Sequence, residues 1–94
     1  MIRALHNLFK EWTTEVDYRD DYPEGGIPTL FLYIGDFKSG LRLVALVSIK
    51  SRHQFNCALG VFKGKKPLEL KYKQPITGYF ELQDILEELS KLEA

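Results

Sequence analysis

Over residues 1–16 the apolar positions Ile2, Leu5, Leu8, Phe9, Trp12 and Val16 recur at the spacing that lines one face of a helix, with His6, Asn7, Lys10, Glu11 and Thr13 opposite. An amphipathic helix is predicted there, and it needs a core to lie on. The next stretch, DYRDDYPEGGIP (residues 17–28), has no apolar period and collects Asp, Pro and a Gly-Gly pair, so a loop is expected. From Thr29 onward the pattern changes to long β-prone runs: TLFLYIGDF, GLRLVALVSIK, QFNCALGVFK and LELKYKQ, separated by KSG, SRH and GKKP. Connections that short join antiparallel neighbours, which gives a four-stranded meander.

Alternation within the runs divides the sheet into two faces. Leu41, Leu43, Ala45, Val47 and Ile49 point one way, together with Phe55, Cys57, Leu59, Val61, Leu68, Leu70 and Tyr72. The opposite face is mixed, carrying Arg42, Val44, Leu46, Lys50, Phe62, Lys71 and Lys73. The run TLFLYI is apolar almost throughout, consistent with burial on both sides or pairing with a second subunit, and Phe31 and Tyr33 are assigned to the mixed outer face. After Pro75 a helical period returns through Leu82, Ile85, Leu86, Leu89 and Leu92, with Glu87 and Lys91 paired on the polar side. The expected fold is a two-layer α+β domain spanning residues 1–94: N-terminal helix, four-stranded antiparallel β-meander, C-terminal helix (αββββα).

Composition supports one self-sufficient core. The chain has 94 residues, 45% hydrophobic and 28% charged, which suits a single domain without structural metal or disulfides. Cys57 is its one cysteine, so no intramolecular disulfide forms, and a reducing, cytoplasmic setting is expected. The first twelve residues lack the continuous apolar run of a signal peptide, and no later run approaches membrane length, so secretion and membrane association are not expected.

Charge changes the picture more than composition does. The formal net charge is zero, but residues 1–37 hold three basic and seven acidic side chains, residues 38–74 nine and one, and residues 75–94 one and five. A basic sheet lies between acidic ends. Three roles compete for that layout. In the first, polar strand faces are simply solvated and Lys71 and Lys73 guard an edge strand. A nucleic-acid platform would use Arg42, Lys50, Arg52, Lys71 and Lys73 on phosphates and Phe31, Tyr33 and Phe62 for stacking, but no RNP-type run or KH-type Gly-x-x-Gly loop accompanies them. A protein-binding face would use the same aromatic and arginine-rich surface, with the acidic residues Asp17, Asp20, Asp21 and Glu24 as a second docking element.

Catalytic signals are weak. Glu69 and Lys71 resemble the Glu-x-Lys half of a PD-(D/E)xK nuclease site, and Asp36 would be the upstream carboxylate, but Asp36 falls in a hairpin two strands away. His6 and His53 have no metal-ligand spacing to each other or to Cys57, and no nucleophile triad or phosphate loop is present. Neither metal nor cofactor is expected. The expectation is a non-catalytic binding protein, an inhibitor or adaptor of the size common among phage and mobile-element proteins that block nucleic-acid-handling or defence complexes. Acidic ends meeting a basic sheet also suggest a homo-oligomer.

Overall fold

The computed structural model describes residues 1–21 and 29–93. Along the chain run α1 (Ile2–Trp12), β1 (Thr14–Asp21), β2 (Leu30–Asp36), β3 (Arg42–Ser51), β4 (Gln54–Lys63), β5 (Lys66–Pro67) and α2 (Tyr79–Ser90). The strands form one antiparallel sheet in the order β1-β2-β3-β4-β5. Both helices lie on one face, where Leu5, Leu8 and Phe9 of α1 and Leu82, Leu86 and Leu89 of α2 meet Leu43, Ala45, Val47, Cys57 and Val61. This is the expected α+β order with one strand added at the front and the last strand much reduced. No helix among the described residues is long and apolar enough to cross a membrane.

The first helix ends four residues earlier than its apolar spacing suggests. Thr13, Thr14 and Val16 are β-branched, stiff at χ1 and better suited to extended backbone. Thr13 turns the corner: its backbone is extended and its N–H donates to the Phe9 carbonyl at 3.0 Å. Val16 becomes the extra residue of a bulge in β1, where the pairing with β2 shifts between Glu15 and Asp17, and it is 50% exposed instead of lying on a helix face. Asp17, Asp20 and Asp21, expected in a loop, therefore belong to an edge strand; Glu24 lies outside the described residues. Low β-propensity of Asp hid the strand. What holds it is Tyr18, whose ring meets His6 of α1 edge-on at 4.3 Å and tilts against Phe31 of β2 at 5.7 Å.

The segment LELKYKQ shows the expected burial without the expected ladder. Leu68, Leu70 and Tyr72 pack on the core while Glu69, Lys71 and Lys73 are exposed. Only Lys66 and Pro67 pair as strand, and the rest of the β4 edge is closed stepwise. The Leu68 N–H donates to the Val61 carbonyl at 2.8 Å. At Leu59 the side-chain amide of Gln74 substitutes for a strand residue, accepting the Leu59 N–H at 3.1 Å and donating to its carbonyl at 2.9 Å. Cys57 and Ile76 then exchange two backbone hydrogen bonds at 2.8 Å. The β4 edge from Cys57 to Lys63 is thereby covered, which blunts it against pairing with another chain.

Gly35 allows the α1–β1 corner to sit against β2. A Cβ built there would lie 2.6 Å from Thr13 Oγ1 and 2.9 Å from the Thr14 carbonyl oxygen, closer than packed atoms allow. Backbone is one of the two obstacles, so a side-chain rotation cannot relieve the clash. Gly35→Ala is therefore expected to destabilise the fold by about 1–3 kcal/mol, the usual cost of overpacking a tight site. Urea unfolding followed through the fluorescence of Trp12, the single tryptophan, measures it. A midpoint equal to wild type would contradict the close approach.

Candidate docking surface on the outer sheet face

Phe31 and Tyr33 point inward, against the sequence-based assignment. They are 1% and 0% exposed respectively, on the same face as Leu43, Ala45 and Val47. In TLFLYI every second position is apolar on either phase, so alternation cannot choose between them. The helices choose. Tyr33 stacks on Phe9 with ring centroids 4.9 Å apart, and its hydroxyl shares a 2.7 Å hydrogen bond with Thr13 Oγ1, which itself donates to the Phe9 carbonyl at 2.8 Å. A buried phenol needs such a partner, and the end of α1 supplies it. Burial pushes the Tyr33 phenol above its ordinary range; the Thr13 hydroxyl acts in the opposite sense and the Glu15 charge adds to the rise.

With the aromatics inside, the outer face is aliphatic. Its cross-strand rows follow from the register: Asp17, Ile34, Val44, Gly60, and next to it Arg19, Leu32, Leu46, Ala58. A third row, Thr14, Asp36, Arg42, Phe62, closes one end. No helix covers these rows. Leu46 is 46% exposed at their centre, and Leu32, Ile34, Val44 and Phe62 beside it are half-buried. Leu32 and Ile34 escape the alternation rule because β2 is apolar on both phases, and the uninterrupted apolar run is the signal that both faces of that strand matter.

The cations expected on this face are dispersed. Arg42 begins β3 and pairs with Asp36 across the ladder, Nε to Oδ1 at 3.0 Å. Lys50 lies near the other end of the same strand, roughly 26 Å away for eight residues of strand. Arg52 is in the two-residue turn between the paired Ser51 and Gln54. With Arg3, which the sequence did not single out, Lys50, Arg52 and His53 surround an open pocket floored by Met1, Ile2 and Ile49. Lys71 and Lys73 lie past β5, beyond the far edge of β4. On the β1 margin, Asp17 accepts from the Tyr18 N–H at 2.8 Å and pairs with Arg19 at 3.2 Å, while Asp20 accepts from the Tyr18 hydroxyl.

The catalytic candidates are not assembled. Two strands, β3 and β4, separate Asp36 from Glu69 and Lys71, and Asp36 is engaged with Arg42. Among the described residues no group of three or more His, Cys, Asp or Glu side chains is placed to hold a metal ion. Cys57 is fully buried, and burial alone pushes its thiol up to about 12, so it packs as a small hydrophobe. The site is a small α+β sheet domain with one face packed and the other open. In comparison with known proteins, the chain matches no family model, no curated protein and no solved structure.

His6 provides a titratable contact between α1 and the edge strand. Its ring is edge-on to both Tyr18 and Phe31, at 4.3 and 5.0 Å, and its Nε2 has no hydrogen-bond partner among the described residues. Burial lowers its pKa from the ordinary 6.5; Asp20 and Glu15 oppose the shift and Lys10 reinforces it. Because the unfolded chain then binds this proton more readily than the folded one, stability is full above 6.5 and falls as pH drops below it. Thermal unfolding is expected to show that loss as pH drops below 6.5, above the range where carboxylates titrate. His6→Phe should flatten the slope there. An unchanged slope in the variant would place the titration elsewhere.

Proposed function

We propose that this chain acts by binding, without catalysis, as a small adaptor or inhibitor whose protein partner docks on the outer sheet face. The observation that carries this role is the aliphatic centre formed by Leu32, Ile34, Val44 and Leu46, uncovered by either helix and rimmed by Asp17, Arg19, Asp36 and Arg42. An apolar centre with a charged rim of both signs is the usual anatomy of a protein interface. A reducing cytoplasmic setting suits a chain whose one cysteine is buried.

A second role is supported by one observation. Lys63, Lys65, Lys66, Lys71 and Lys73 gather along the β4–β5 side, and none forms an ion pair among the described residues. Such an edge suits a polyanion. The single-strand platform loses its main stacking groups, however, because Phe31 and Tyr33 are buried under the helices.

Anisotropy of labelled single-stranded DNA, duplex DNA and RNA at low salt separates the two roles. Protein docking predicts no binding; steeply salt-dependent binding that is lost in a Lys71→Glu, Lys73→Glu variant would replace it with the polyanion role. In parallel, a tagged chain presented with cell extract and an untagged copy is expected to retain a protein. Leu46→Glu should lose that protein and the lysine variant should keep it. Equal retention by Leu46→Glu would contradict docking on this face.

A further inference from the structure

We infer that the outer face is occupied by a second copy of this chain, packed face to face about a two-fold axis that runs parallel to the strands between β2 and β3. This rests on the docking role proposed above and names the partner. The inference comes from the register itself. Rotation about an axis along the strands keeps each cross-strand row at its height and reverses its order. Leu32 then faces Leu46 of the other copy, and Ile34 faces Val44. At the margins Arg19 lies over Ala58 and Asp17 over Gly60, so the long side chains of β1 meet the smallest residues of β4. In the third row Asp36 faces Arg42 and Arg42 faces Asp36, and two intrachain ion pairs become one four-charge cluster. The same surface serves both sides, as an isologous contact requires.

Charge favours the same axis. Asp17 and Arg19 share the outward phase of β1, whereas Glu15 and Asp20 lie opposite the inward Gly35 and Phe31 and Glu15 pairs with Lys10 of α1; the opposite margin carries the five lysines of residues 63–73 against Glu69. A strand-parallel axis turns Asp17 toward that basic margin twice and sets each Asp36 over an Arg42. An axis across the strands would stack lysines on lysines and leave a gap where Ala58 and Gly60 face their own copies. Edge-to-edge continuation of the sheet is also excluded: β1 carries a bulge and carboxylates on its free edge, and the segment from Lys66 to Ile76 closes β4. Four strands at ~4.8 Å spacing and seven residues at ~3.3 Å give a footprint of roughly 440 Å² per copy, below the ~800 Å² of a standard interface. The dimer is therefore a concentration-dependent one.

Sedimentation equilibrium of the full chain, from low micromolar to near-millimolar concentration, is the test. A mass rising from one chain to two is expected, with association weakened by at least about tenfold in Leu46→Glu, which would bury an unpaired carboxylate, and similarly in Ala58→Lys. Sheets stack about 10 Å apart, within reach of a short bismaleimide. Mixed Arg19→Cys and Ala58→Cys chains should cross-link to each other, Arg19→Cys alone should not, and buried Cys57 takes no part. Self-linking of Arg19→Cys, or a dimer indifferent to both face variants, would overturn the arrangement. A chain that stays monomeric but captures another protein through Leu46 would overturn the dimer and leave the docking role standing. Monomer without such capture would overturn both.

Discussion

The contact of Tyr33 with Phe9 and Thr13 decides which side of the sheet is inside. Its ring stacks on the first helix and its hydroxyl joins the hydrogen bond that ends that helix. A strand has a period of two, so fixing one residue of β2 fixes them all: Phe31, Tyr33 and the close-packed Gly35 inward, Leu30, Leu32 and Ile34 outward. Antiparallel pairing then transmits the choice to β3, where Leu46 must lie beside Leu32 on the open face. The packed core and the open aliphatic face are two consequences of one aromatic anchor.

How much of this was legible depends on where the chain alternates. β3 and β4 alternate cleanly, and their inward residues, from Leu41 to Val61, lie where the pattern puts them. β2 does not alternate, and no local rule could tell that Tyr33 would find Thr13 twenty residues earlier. β1 was obscured by composition, since its aspartates favour turns and its strand character comes from Tyr18 fitting between His6 and Phe31. In LELKYKQ the burial phase was readable, but the ladder was not, because a Gln74 side chain makes the hydrogen bonds that a backbone would have made. Val44, Leu46 and Phe62 were placed correctly on the outer face; Leu32 and Ile34, their neighbours, followed only from the structure.

The same parity bears on function. Turning the aromatics inward removes the stacking platform that a basic sheet face would need for single-stranded nucleic acid, and leaves an aliphatic face whose gain on being covered is hydrophobic. The charges are then a frame. Arg42 and Asp36, Arg19 and Asp17 each pair within the chain at exposed sites, where ion pairs add little stability but set which surfaces meet and in what orientation.

The sidedness of the sheet is the claim on which the rest stands, and solvent paramagnetic relaxation of assigned methyl groups in dilute solution tests it most directly. Methyls of Leu32, Ile34, Val44 and Leu46 should relax strongly with a soluble paramagnetic agent, while those of Leu43, Ala45, Val47 and Leu59 stay nearly unaffected. Silent Leu32 and Ile34 methyls beside strongly relaxed Leu43 and Val47 would mean that the other face is open, and would contradict the account at its first step.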